Sequence, residues 1–184
     1  MHAAADITGL RTARLILRHW RDEDVAPFAA MSADPEVMRY FPALLSDAEA
    51  AAMVLRIRAG FIANNMGLWA LEHAESRSFL GYAGLWPVLW SAPFSPAVEI
   101  GWRLARHAWG HGYATEAASA VLEDGFNRLG LREIVSSTVP ANARSIAVMA
   151  RLGMTRDPAE DFDYPSLPEG HPLRRHVLYR KRKG

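Results

Sequence analysis

From Val98 to Leu104 the residues alternate with a period of two. Val98, Ile100, Trp102 and Leu104 fall on one face, and Glu99, Gly101 and Arg103 on the other. That period predicts a half-buried strand. Gly110 and Gly112 end the alternation. From Ala114 the apolar positions become 114, 117, 118, 121, 122 and 126, with Gly125 on the same stripe. This spacing predicts an amphipathic helix. Strand, glycine turn and helix form the stretch around which the other elements are arranged.

Upstream, Ala13–His19 alternates and predicts a strand. Asp22, Glu23 and Asp24 open a helix through Met31, with acids in the first turn as the helix dipole prefers. Asp34-Pro35 begins a short second piece carrying Val37, Met38 and Phe41. Ser46-x-x-Glu49 is a capping box for a helix to about Asn64. Leu68–His73 and Ser78–Val88 predict an antiparallel pair, and Leu89–Pro96 an apolar, proline-broken loop. Downstream, Glu133–Val139 is a predicted strand, and Pro140-Ala141-Asn142 turns into a helix over Ala143–Leu152 that Gly153 closes. Met154–Arg156 and Arg175–Arg180 are predicted strands separated by a loop, Asp157–Pro172. Residues 1–10 and 181–184 read as loose ends. The order predicts one α/β (α+β) domain over 1–184 with a mixed sheet.

Composition narrows the function. Half of the 184 residues are hydrophobic and 22% are charged, as in ordinary globular domains. A formal net charge of +1 offers nothing to nucleic acid or to an anionic membrane. The longest weakly polar run, Tyr82–Phe94, is too short to span a bilayer and contains Pro87 and Pro93. Arg11, Arg14 and Arg18 interrupt any apolar signal core, so a cytoplasmic location is expected. There is no cysteine, which excludes disulfides, thiolate metal sites and a cysteine acyl-enzyme.

A strand–glycine–helix turn aims backbone N–H groups and a helix dipole at one place, which suits phosphate. No Gly-Lys-Ser/Thr follows, so the turn is not a P-loop. Thr115 stands where a dinucleotide fingerprint has its third glycine. The stretch Trp109-Gly110-His111-Gly112-Tyr113-Ala114 resembles the coenzyme A pyrophosphate loop of the GNAT N-acetyltransferase superfamily, with Trp109 in place of the usual Gln/Arg. The wording WGxGYATEA, and TxRLxLRxW from Thr12 to Trp20, resemble the ribosomal-protein N-terminal acetyltransferase branch. Pro140-x-Asn142-x-x-Ser145 with Leu152-Gly153-Met154 resembles a second segment of these enzymes.

The resemblance covers Thr12 to Thr155 and implies the GNAT fold. That is a mostly antiparallel mixed sheet, splayed in the middle to admit a pantetheine arm and flanked by about four helices. It implies acetyl-CoA as co-substrate and no metal. Coenzyme contacts are then expected from Trp102, Leu104, His107, Trp109, Gly110, His111, Gly112, Tyr113, Ala114, Asn142 and Ser145. Asn142 is also a good helix N-cap.

Acetyl transfer from a thioester to an amine needs an amine that has lost its proton and a donor for the developing oxyanion. Glu99 is the candidate base; the alternatives for it are solvent or a pair with Arg103. The oxyanion donor is expected among backbone N–H groups near Trp102–Leu104. Many members have a tyrosine acid where this chain has Met149, which leaves Ser145 or water for that role. His107 and His111 are spaced i, i+4, but the glycines forbid a regular helix and no H-E-x-x-H is present. Tyr40, Phe41, Trp90 and Phe94 are candidates for an acceptor pocket, and the acids Asp161 and Asp163, beside Glu160, for attracting a cationic amine. The expected acceptor is a protein N-terminus or a small amine, with the enzyme a monomer or homodimer. The alternative is a non-catalytic acyl-CoA-binding or regulatory module on the same fold.

Overall fold

The computed structural model describes residues 9–184. Its strands are β1 (Leu10–Arg11), β2 (Leu15–Arg18), β3 (Leu68–His73), β4 (Phe79–Pro87), β5 (Val98–Leu104), β6 (Glu133–Thr138), β7 (Thr155–Arg156), β8 (Phe162–Asp163) and β9 (Arg175–Arg182). Its helices are α1 (Val25–Ser32), α2 (Asp47–Asn64), α3 (Tyr113–Asn127) and α4 (Ala143–Arg151). The strands form one mixed sheet in the order β1-β2-β3-β4-β5-β6-β9-β7, with β8 on β9. Among the described residues every pairing is antiparallel except β5 with β6.

The sheet is covered on both faces. Leu85 and Trp86 are successive on β4 and point to opposite sides. On one side α3 packs so closely that a Cβ on Gly125 would lie 2.7 Å from Ile134 and 2.9 Å from Leu85. On the other, a Cβ on Gly60 of α2 would lie 2.6 Å from the Trp86 ring. Through β4–β5 pairing, Glu99, Gly101 and Arg103 share the α1–α2 face with Trp86, Gly84 and Tyr82. Ile100 shares the α3 face with Leu85. Ser46 makes its capping box with Glu49 as the sequence predicts. Among the described residues no helix is long and apolar enough to cross a membrane.

Four stretches differ from expectation. Residues 1–8 of the expected loose tail lie outside the described residues, and Leu10 already pairs with Leu17 in β1. The acid-rich start at Asp22–Asp24 is a 3₁₀ turn before α1, and residues after Asp34 make turns, not a helix. The late loop contains β8, because Phe162 and Asp163 pair with His176 and Arg175. The basic end is not frayed at Lys181: β9 runs through Arg182, which pairs with Glu133 and bridges its carboxylate at 2.9 Å.

Arg18 turns away from the Leu15/Leu17 face into a buried ion cluster. It bridges Asp24 at 2.7 Å and Glu72 at 2.5 Å, carboxylates only 2% and 1% exposed. Burial would raise the Asp24 carboxyl, but hydrogen bonds from the Arg18 side chain and the Arg21 N–H outweigh it and hold it below the usual range. This carboxyl's contribution to stability is therefore present above the unfolded pKa and lost as pH falls through the lower folded value. Removing the shared cation leaves the buried Asp24 without its ionic partner and the buried Glu72 with only Arg21 and Arg77, both about half exposed. Arg18→Met is expected to cost about 3–5 kcal/mol in urea unfolding. A cost under about 1 kcal/mol would show that the cluster does not hold β2, β3 and the start of α1 together.

Candidate active site

β5 and β6 touch at one register position, Glu99 beside Val135, and then diverge. Two serines of β6 close the base of the opening. Ser136 Oγ donates to the Ile100 carbonyl at 3.0 Å. The Ser137 N–H and O–H both donate to Glu99 Oε1, at 3.0 and 2.6 Å. The Ile100 carbonyl thus points toward β6, and by strand alternation so do the N–H and C=O of Trp102 and Leu104. The Leu104 carbonyl accepts the Trp109 indole N–H at 2.8 Å. The Trp102 groups face the opening.

A cleft of about 1310 Å³ fills this opening. On the α3 side it is lined by Trp109, Gly110, Gly112, Tyr113, Ala114 and Thr115. Gly110 and Gly112 have φ of +81° and +80°, a region that favours glycine. A Cβ on Gly110 would meet nothing within 4 Å, so the outer side of the turn is open. Gly112 is the N-cap of α3 and supplies no side-chain cap. The first N–H groups of the helix are thereby left for a ligand, the arrangement that suits a pyrophosphate. Glu116 in this first turn is compensated. It accepts from Thr12 Oγ1 at 2.6 Å and the Arg14 N–H at 2.9 Å, and it bridges the Arg14 guanidinium. His107 and His111 are exposed and lie outside the lining; His111 stacks on Tyr113 at 5.4 Å.

Asn142 and Ser145 line the cleft from the start of α4. The Asn142 amide is engaged at both ends. Its Oδ1 accepts the Ser145 N–H at 3.3 Å, and its Nδ2 donates to Thr138 Oγ1 at 2.9 Å. An amide has a second lone pair and a second N–H, so capping leaves capacity for a ligand. Met149 is buried in the same wall.

Glu99 is bonded to Ser137 and does not pair with Arg103. Burial raises the Glu99 carboxyl above its ordinary value, against the Ser137 hydrogen bonds that lower it. The Tyr164 hydroxyl is raised by burial and by the nearby Glu99 charge. His176 is pushed down by burial, so its ring is neutral at pH 7. Tyr40 and Phe41 line the cleft, and the Tyr40 hydroxyl donates to the Ala141 carbonyl at 2.9 Å.

Four expected acceptor residues are elsewhere. Trp90 and Phe94 pack on Phe162 at 5.6 and 5.0 Å, behind Tyr164, in a small core of their own. Asp161 is paired with Arg156, and Asp163 with Arg174 and Arg175 at 3.4 and 3.2 Å. β8 pairs with β9 and lays these acids on arginines, so the charge available to a cationic amine is spent outside the cleft.

A glycine turn before an uncapped helix thus stands beside a splayed parallel pair. Residues 14–155 match the family described as the acetyltransferase (GNAT) domain. The chain belongs to the GNAT acetyltransferase family. This acetyltransferase is 34% identical over 148 residues to the Bacillus subtilis protein YkkB, covering 80% of this chain and 85% of that one. It is 27% identical over 163 residues to the N-acetyltransferase YnaD of the same organism, covering 88% and 89%. A solved acetyltransferase from Agrobacterium tumefaciens superposes with a TM-score of 0.77 at 27% identity, covering 97% and 96%.

Sequence reasoning missed Arg103, Tyr164, Leu167, Leu173 and His176 in the lining. The late loop was read by its acids, whereas its signal was the aromatic pair Phe162 and Tyr164 among turn residues. The glycine turn yields a direct test on the acetyltransferase. Gly110→Val fills the open side of the turn and adds left-handed strain of about 1–3 kcal/mol. Coenzyme A affinity by titration calorimetry is expected to fall at least tenfold. Parental affinity in a folded variant would remove the turn from the coenzyme site.

Proposed function

We propose that this acetyltransferase moves acetyl directly from acetyl-CoA to a primary amine, with Glu99 as general base. The observation that carries this reading is the placement of Glu99. Its carboxyl has raised proton affinity and sits at the point where β5 and β6 part, in the lining of the same cleft as Trp102.

Pyrophosphate on the 109–114 amides directs the pantetheine arm into the opening, where an amide N–H of the arm donates to the Trp102 carbonyl. The amine gives its proton to Glu99, directly or through one water. Its nitrogen then attacks the thioester carbonyl, and the Trp102 N–H stabilises the oxygen as it becomes negative. The carbon–sulfur bond breaks, and the proton that the attacking nitrogen still carries in excess passes, directly or through water, to the departing sulfur, so coenzyme A leaves as the thiol. A thiol of pKa about 8.5 is a fair leaving group, so the absence of a tyrosine at Met149 is tolerable. That same absence favours the second reading, an acyl-CoA-binding module without turnover. Amine-dependent release of free thiol from acetyl-CoA separates the two.

The base has a defined pH signature. Its conjugate form accumulates only as pH rises through the elevated value, so kcat/KM rises over that range. Glu99→Gln keeps the shape and accepts the same Ser137 bonds, but takes no proton. It is expected to lower kcat/KM at pH 7 by about 10²–10⁴. The deficit shrinks at high pH, where the amine arrives neutral, and acetyl-CoA affinity is unchanged. A Gln variant with near-parental activity at pH 7 would remove Glu99 from the chemistry.

A further inference from the structure

Arg103 is a buried cation without a counter-charge. The residue is 7% exposed and lines the cleft. Its guanidinium lies over the Phe41 ring at 4.0 Å and the Tyr82 ring at 5.3 Å. Its Nη1 donates to Ser32 Oγ at 3.4 Å, and its Nε is buried with no hydrogen-bond partner. Among the described residues no carboxylate pairs with it. Arg18 and Arg180, also poorly exposed, each hold two acids. Ring faces fix a guanidinium in place and attract it, but they do not neutralise it. A desolvated cation of this kind is costly unless an anion completes it.

The acids of the cleft do not supply that anion. Glu99 is bonded to Ser137, Glu116 to Thr12 and Arg14, and Glu36 is exposed at the rim. The coenzyme phosphates do not supply it either, since their turn opens on the α3 side and Arg103 stands on the α1–α2 face. Glu99 stands on that same face four positions earlier on β5, about 13 Å away at 3.3 Å per residue.

Resting on the amine-acetylation reading, we propose that the acceptor is an amino acid in the broad sense: a primary amine bearing a carboxylate several bonds from the nitrogen. Its carboxylate binds Arg103, and its amine is delivered toward Glu99. Tyr40, Phe41 and Tyr164 pack on the chain between the two ends.

The test compares 4-aminobutanoate and 6-aminohexanoate, each with its own amide, as acceptors by thiol release. A charge-assisted hydrogen bond to a buried guanidinium predicts kcat/KM about 10–100-fold higher for at least one acid than for its amide, mostly through KM. Arg103→Met removes that preference while acetyl-CoA affinity holds, and Arg103→Lys restores part of it. Calorimetry of the same four compounds on the coenzyme A complex gives the same order without turnover. The wild-type preference is therefore readable even if Arg103→Met does not fold. Equal kcat/KM and equal binding for acid and amide, binding of none of the four, or a preference that survives in Arg103→Met would each overturn the proposal. The underlying reading fails differently: no amine, charged or neutral, then stimulates thiol release from acetyl-CoA.

Discussion

Beyond Glu99 and Val135 the two central strands separate, and the backbone groups freed there must find partners. Most sheets avoid such a gap, because every unpaired N–H or C=O in a buried place is destabilising. Here the gap is managed group by group. Ser136 takes the Ile100 carbonyl, Trp109 takes the Leu104 carbonyl, and Ser137 takes the Glu99 carboxylate. What is left, the polar edge of Trp102, is the place where an extended chain can complete the sheet. β9 keeps the gap from closing. It pairs with β6 along six positions and is pinned there by Arg180 and Arg182 on Glu133, so β6 is held from its far side.

Charge follows a matching logic. Away from the cleft, arginines and acids cancel locally, Arg18 with Asp24 and Glu72 and Arg180 with Glu133 and Glu160, and in the cleft lining Glu116 is cancelled by Arg14. Inside it, Glu99 and Arg103 are left without ionic partners on one strand face. The low polarity that raises the Glu99 carboxyl also strengthens any charge placed near Arg103.

The sequence announced the strands and helices that carry strong periodicity, together with the glycine turn, because each is a local property of the chain. The capping box at Ser46 and the turn at Gly110 and Gly112 are decided by a handful of neighbouring residues. The short strands β1 and β8 are not local. Two residues have no period, and each exists because a distant strand, β2 or β9, offers an edge. The acceptor wall was illegible for the same reason. Trp90 and Phe94 look like pocket residues in one dimension, yet β8 brings Phe162 to them and packs them, half-buried, against the small cluster of Val135, Phe162 and Leu178. Arg103 reads as a surface-facing strand residue until pairing with Tyr82 places it under Phe41.

Taken with the proposed chemistry, these placements make a charge balance that holds through the reaction. At rest one strand face of the cleft carries an acid, Glu99, and a cation, Arg103, neither with an ionic partner. A zwitterionic acceptor adds one of each, every charge facing its opposite. When the amine gives up its proton, Glu99 becomes neutral and so does the nitrogen, while the carboxylate stays on Arg103. The nitrogen then becomes nucleophilic in a site where no uncompensated charge is left near it. On attack the nitrogen becomes positive and the thioester oxygen negative; the Trp102 N–H meets the oxygen, and the nitrogen's surplus proton passes to the departing sulfur. The missing tyrosine at Met149 is therefore compatible with turnover, because the proton that the sulfur takes up is already carried by the attacking nitrogen.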